Sequence, residues 1–279
     1  MKKILLHSAM LIGLALSVSN CDKERGFIIM PLSQEVDLGE QLDSTIRANP
    51  SEYPVLDPSQ NAAAYAYLQT IVDDILDNTE EPLKYKDKFD WKLTIINKNE
   101  LNAFAAPGGY LYFYTGLLKY LDNASNVAGV MGHEMAHADL RHAAQQMQKA
   151  YGVNFAASIL FGTDKSQLEQ ILSDVGSGLA SLQFSREDEY QADAFSVRYL
   201  AGTEALSNNY DAKYDPRGVA GFFEKLEGEG KEGESWEFLS THPSGSNRVD
   251  EIDKVWQSLG SPTGQTFDSE YQSFKALLP

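Results

Sequence analysis

Hydrophobic and polar positions along this chain follow two periods, and the helical one dominates. Between Asn61 and Asn78, Ala64, Leu68, Ile71, Val72 and Ile75 recur three or four residues apart, which predicts an amphipathic helix. A short helix is expected near Gln34–Arg47, within the segment Asp22–Gln60 that also carries Pro31, Pro50, Pro54 and Pro58. The period then changes. Trp91–Ile96 alternates and is β-branched, so it reads as a strand, with Asn102–Ala105 as a short second strand. Pro107-Gly108-Gly109 is a turn, and the aromatic run Tyr110–Tyr114 is a third strand. Helical patterning returns from Thr115 to about Asn123, and again from about Ser125 to Gln146. Further helices are expected over Ser166–Leu182 (broken near Gly176-Ser177-Gly178), Arg186–Ala201, Arg217–Leu226 and Asn247–Leu259, the last capped from Ser244 or Ser246. Gly202–Pro216 and Gly228–Glu234 read as loops, and Phe155–Phe161 is too short to span a membrane. The pattern predicts an α+β chain, mainly α, with a small β-sheet in the first half.

The first residues follow a different rule. Lys2-Lys3 precede an apolar stretch, Ile4–Val18, that is short for a bilayer span. Val18-Ser19-Asn20-Cys21 then resembles a bacterial lipobox, with Asn20 where Gly or Ala is usual. The expected organisation is a lipoprotein signal peptide over 1–21 with lipidation at Cys21, a tether and N-terminal segment over 22–60, and a single domain over 61–279. Cys21 is the only cysteine, so the mature domain has neither a disulfide nor a cysteine-ligated metal.

Composition changes the picture little. The 279 residues suffice for one domain with its own core, and 43% hydrophobic content is ordinary. The formal charge of −17 argues against binding nucleic acid by charge.

Chemistry enters at His133-Glu134-Met135-Ala136-His137, inside the apolar run Val127–Leu140. Four residues of helix turn the chain by about 400°, so the two histidines share a face. That spacing suits one zinc ion, with Glu134 beside it. A catalytic zinc usually has three protein ligands and one open position. Besides these two, only His142 and His242 remain after the signal region. His142, five residues beyond His137, is rotated about 140° off the ligand face and is expected to cap or pack. The third ligand is then a downstream carboxylate or His242. Glu189 and Asp193 share a helix face at i, i+4, so Glu189 could bind metal while Asp193 accepts a hydrogen bond from a ligand imidazole. An acidic, solvated helix start explains the same pair equally well.

Several segments resemble, in order, the zinc metallopeptidase family of the CAAX prenyl endopeptidases, the heat-shock protease HtpX, and mitochondrial and periplasmic quality-control proteases. They are Gln34-Glu35 with Leu38-Gly39, Asn102–Tyr110, Thr115-Gly116-Leu117-Leu118, Ser185-Arg186 with Glu189–Asp193, Tyr214-Asp215-Pro216, and Thr241-His242-Pro243 with Arg248. The resemblance implies a gluzincin-type domain with its sheet beside the motif helix. It implies one Zn²⁺ per chain held by His133, His137 and Glu189, with Glu134 as catalytic base and Asp193 supporting a ligand histidine. His242 is a second catalytic candidate, either serving the oxyanion or closing the open zinc position. Arg248 either faces the site or pairs with Asp250, Glu251 or an acidic loop. Asn126 departs from the acidic residue often found seven positions before the first ligand, and Thr203–Tyr214 looks like an insertion.

The expected function is a zinc-dependent endopeptidase of the bacterial cell envelope acting on misfolded or misassembled envelope proteins. Its partners are a polypeptide substrate and, through Cys21, a membrane, the outer favoured over the inner; nucleic acid is not expected. A non-proteolytic chaperone or assembly factor is the alternative. Tyr110–Tyr114 is the expected edge strand for an extended substrate, with Gly108-Gly109 letting its backbone come close.

Overall fold

A computed structural model describes residues 28, 30–150, 183–203, 212–229, 238, 240, 242 and 247–279. The expected segments Phe155–Phe161 and Ser166–Leu182, the lipobox with Cys21, and Ser244 and Ser246 lie outside them. Helices α1 (Leu32–Ala48) and α2 (Ala62–Asn78) come first. Strands β1 (Lys92–Ile96), β2 (Ala103–Ala106) and β3 (Tyr110–Tyr114) follow, with a 3-10 turn at Pro107–Gly109 between the last two. Next are α3 (Thr115–Tyr120), α4 (Ala124–Asp139), α5 (Arg186–Gly202), α6 (Gly218–Gly228), α7 (Arg248–Ser258) and α8 (Asp268–Lys275). None of the described helices is long and apolar enough to cross a membrane.

The sheet order is β1-β3-β2, with β1 parallel and β2 antiparallel to β3. This corrects the expected edge: β3 is the central strand, and β2 is an outer one. The run Tyr110–Tyr114 is buried throughout because both faces of the sheet are covered. Leu111 and Phe113 face the main core with α2 and α4, whereas Tyr110, Tyr112 and Tyr114 face Leu38, Leu42 and Ile46 of α1. Alternation along a strand reports which faces are buried, but not the strand's place in the sheet.

The glycines before β3 form the expected turn, but the close approach they allow is to the chain itself. Gly108 and Gly109 have φ of 78° and 84°, which makes the tight turn. Their close neighbours are the chain's own: a Cβ on Gly109 would meet Phe89 at 2.8 Å, and one on Gly39 of α1 would meet the Pro107 carbonyl at 2.0 Å.

On α1, the buried Asp43 accepts from Arg47 (2.9 Å), Lys92 (2.5 Å) and the Tyr112 hydroxyl (2.9 Å). Burial pushes the carboxyl upward, but these donors outweigh it and hold Asp43 below its ordinary value. A depressed carboxyl contributes stability above the unfolded value, near 3.9, that is lost as pH falls through the folded value. Asp43→Asn is expected to cost about 1–3 kcal/mol at pH 7. Paired denaturation curves should show the deficit shrinking below about pH 4.

Helix α4 is buried over all sixteen residues. Its start is fixed by the Asn123 side chain, which accepts from the Asn126 N–H at 2.9 Å. Asn126 in turn donates Nδ2 to the Gly218 carbonyl at 3.0 Å and ties α4 to α6. The helices approach so closely that a Cβ on Gly129 would lie 2.1 Å from Val219 N. The helix expected to run to Gln146 instead breaks after Leu140. Arg141 takes φ +61° there, donating Nε to Glu35 Oε2 (2.5 Å) and Nη2 to the Met30 carbonyl (2.6 Å). Helical structure resumes over residues 142–150.

Asn247 occupies the N-cap position of α7, with no side-chain capping hydrogen bond. Helix α8 was not expected, because eight residues with only Tyr271 and Phe274 buried give almost no periodic signal. Packing holds it: Phe274 stacks on Tyr67 at 4.5 Å, and the Tyr271 hydroxyl donates to the Leu118 carbonyl.

Candidate metal centre

Two crossing helices set up the site. On α4, His133 and His137 stand one turn apart and are buried with Glu134. Helix α5 starts at a capping box in which Ser185 Oγ accepts from the Asp188 N–H (3.2 Å) and Asp188 Oδ2 accepts from the Ser185 N–H (2.9 Å). That places Glu189 and Asp193 on successive turns facing α4. The crossing is fixed by the Ser196 hydroxyl, which donates to the Gly129 carbonyl at 2.7 Å. Arg248 enters from the first turn of α7, and His242 from the chain preceding it.

The distances describe a compact set of donors. His133 Nε2 lies 3.0 Å from His137 Nε2, 3.5 Å from Glu189 Oε2 and 3.3 Å from His242 Nδ1. Glu189 Oε1 lies 3.4 Å from His137 Nε2 and 3.1 Å from His242 Nδ1. One donor atom from each of the four residues falls within 4.8 Å of every other. Four donors about 2 Å from one tetrahedral ion would stand roughly 3.3 Å apart, so the set suits a metal ion. The hydrogen bonds agree. His133 Nδ1 lies 2.9 Å from Asp193 Oδ1, and a carboxylate can only accept, so the proton sits on Nδ1 and the Nε2 lone pair is free. That lone pair faces another imidazole nitrogen and a carboxylate, an arrangement that a cation relieves.

Around this set the charges are arranged in layers. Arg248 donates Nε to Asp193 Oδ2 (2.7 Å) and Nη2 to Asp193 Oδ1 (2.6 Å), and its Nη1 is 2.9 Å from Glu189 Oε2. Arg248 therefore faces the site and does not pair with Asp250 or Glu251. Burial pushes the Asp193 and Glu189 carboxyls up, yet Arg248 and the histidines hold both below the ordinary value, Glu189 well below it. Glu134 behaves oppositely. Burial raises its carboxyl, and neither oxygen accepts a well-aligned hydrogen bond among the described residues. His242 Nε2 stands 3.4 Å from Glu134 Oε1 without hydrogen-bond alignment, so His242 touches the donor set through one nitrogen and Glu134 through the other. Burial opposes charge on His242, but Glu189 and Glu134 raise its pKa overall.

The structure thus brings together His133, Glu134, His137, Glu189, Asp193, His242 and Arg248; Cys21 is outside the described residues. Three contributors were missed. Phe184 stacks on His137 (4.1 Å, 25°) and Phe238 on His242 (4.4 Å, 22°), and neither belongs to a periodic pattern. His142 was expected to point away, but the break at Arg141 turns it back so that its Nδ1 lies 2.9 Å from His137 Nδ1. Burial pushes the His142 imidazole down to about 4, so it is neutral at pH 7.

Comparison with known proteins gives this site a setting. A family model described as Peptidase family M48 matches residues 62–255. The metalloprotease LoiP of Escherichia coli is 30% identical over 193 residues, covering 67% of this chain and 69% of that protein. The mitochondrial metalloendopeptidase OMA1 of Arabidopsis thaliana is 32% identical over 160 residues, 57% of this chain and 30% of the relative. The β-barrel assembly-enhancing protease of Escherichia coli is 30% identical over 167 residues, 56% of this chain and 32% of the relative. The chain spans 30% to 52% of the length of the OMA1 proteins from Arabidopsis thaliana, Schizosaccharomyces pombe and Bos taurus.

Proposed function

Because the chain belongs to peptidase family M48, we propose that it is a zinc-dependent endopeptidase of the bacterial cell envelope. The observation that carries this reading is the convergence of His133, His137, Glu189 and His242 on one point, with the buried Glu134 beside it. His133, His137 and Glu189 would hold one zinc ion. When bound, zinc would supply the Lewis acid that polarises a scissile carbonyl and acidifies water. Glu134 takes the proton from the attacking water and returns it to the leaving amine. The burial that raises its pKa suits a group that must both accept and deliver a proton. Asp193 fixes the His133 tautomer, and Arg248 keeps Asp193 charged.

A polypeptide substrate is favoured by β2, the strand nearest the motif. The N–H of Ala105 is close enough to favour the Glu134 carboxylate. Tyr114 N–H donates to the Asn102 carbonyl, so Ala103 and Ala105, one and three residues on, turn their backbone groups away from β3. That outer edge can pair with an extended chain. In the present conformation the region is covered. Phe238 N–H donates to the Leu101 carbonyl at 3.0 Å, and the His242 N–H donates to the Phe238 carbonyl at 2.7 Å. We read His242 as a gate that fills the fourth position and lies against Glu134, giving a latent enzyme.

The lipobox ending at Cys21 supports a lipid anchor, with the outer membrane favoured. Misfolded or misassembled envelope proteins are the substrates this location offers.

The test is cleavage of an unfolded envelope protein by zinc-loaded and chelator-treated enzyme. Activity should require the metal and return when zinc is restored. Metal-independent cleavage, or none from a zinc-loaded protein with the gate removed, would sink the reading. His242→Ala is expected to raise the rate several-fold. A lower rate with zinc retained would reassign His242 to the oxyanion.

A further inference from the structure

Helix α5 supports both ligand histidines, and the route to the second one runs through His142. His133 has a direct partner on α5, Asp193. His137 meets α5 only on its metal-facing side, where Nε2 lies 3.4 Å from Glu189 Oε1, and its Nδ1 has no direct α5 partner. If its Nε2 lone pair faces the metal, its proton must sit on Nδ1, and a buried N–H needs an acceptor. The atom at hydrogen-bond distance is His142 Nδ1, at 2.9 Å. The acceptor nitrogen of a neutral imidazole leaves the proton on the other one. His142 Nε2 lies 3.3 Å from Gln191 Oε1 on α5, while the carboxylate of Asp188 is farther, at 3.9 Å. Gln191 Nε2 donates onward to Glu187 Oε1 at 3.4 Å. Each group is thus a donor on one side and an acceptor on the other.

The position of His142 depends on the break in the motif helix. Had α4 continued, residue 142 would sit about 140° away from the ligand face. Arg141 in the left-handed region interrupts the helix, and its bonds to Glu35 and to the Met30 carbonyl hold it there. A left-handed arginine is unfavourable on its own, so such fixing contacts are needed.

We infer that His142 is a positioning residue for the metal site: it accepts the Nδ1 proton of His137, fixes that imidazole's tautomer and orientation, and passes the hydrogen bond to Gln191. Helix α5 then sets all three ligands, Glu189 itself, His133 through Asp193 and His137 through His142. This rests on the metal-site reading above.

The experiment compares zinc affinity, by chelator competition, and apo-state melting of the mature chain with those of His142→Leu and His142→Asn. Leucine fills the space but accepts nothing, while the asparagine carbonyl can replace Nδ1. His142→Leu should bind zinc about 10–100-fold more weakly. Its apo protein should melt near the wild-type temperature, and His142→Asn should regain most of the affinity. Wild-type affinity in the leucine variant, or equal loss in both, would overturn the role. Should His142→Leu fail to fold, ¹⁵N NMR of the zinc-loaded wild type decides: a proton on His137 Nδ1 coupled to His142 supports the role, and a proton on Nε2 refutes it. Failure of the metal-site reading looks different, since zinc affinity would then be unmoved by Glu189→Ala as well.

Discussion

Glu134→Gln is expected to bind zinc with wild-type stoichiometry and to lose about 10²–10⁴-fold in peptide cleavage. Glu134 is kept out of the donor set, which His133, His137, Glu189 and His242 already form. Glutamine has the same shape but cannot take a proton from water, so metal and fold should survive while turnover does not. A second readout follows from the raised carboxyl. Burial is the main cause, with Glu189 adding to it and His242 and His133 opposing it. A raised carboxyl makes the folded state favour the protonated form. Its destabilising effect is absent below the unfolded value, near 4.3, and grows as pH rises towards the folded value. Apo Glu134→Gln should therefore be more stable than the apo wild type at pH 7, and this gap should close in acid. Normal cleavage by the zinc-loaded variant would remove Glu134 from the mechanism.

Arg248→Met should be the most destabilising single change at the site, costing about 3–5 kcal/mol in the apo protein. Arg248 is 2% exposed, lies 4.0 Å above the Phe223 ring and contacts two buried carboxylates. Removing it leaves Asp193 with only the His133 N–H and Glu189 with only imidazoles. Both carboxyls are depressed in the folded protein, despite burial, partly through Arg248. The stability they contribute is present above the unfolded carboxylate range and is lost as pH falls through the folded values. The variant's deficit, read from apo-state denaturation, should be largest at neutral pH and should narrow in acid. Arg248→Met combined with Asp193→Asn should cost less than the sum of the two single changes, because the first loss is largely an unpaired carboxylate. Strict additivity would show that Arg248 acts by packing alone.

Spacing within a helix was readable from the chain. The pairs His133/His137 and Glu189/Asp193 sit four residues apart, and helical geometry alone puts each pair on one face. The burial of α2 and α4 followed from the apolar pattern, and so did the three strands. Which strand lay outermost did not follow, because alternation carries no record of pairing order; β2 took the place expected for β3. The break at Arg141 was hidden as well, since its causes, Glu35 and Met30, lie more than a hundred residues earlier. The same holds for the donor set as a whole. The chain by itself determined that two short helical motifs could each present metal-binding chemistry, because neighbours along a helix are set by its pitch. Only the tertiary structure decided that α4, α5, His242 and Arg248 meet at one buried point and that His142 turns back towards it, because contacts between distant residues depend on how whole helices pack.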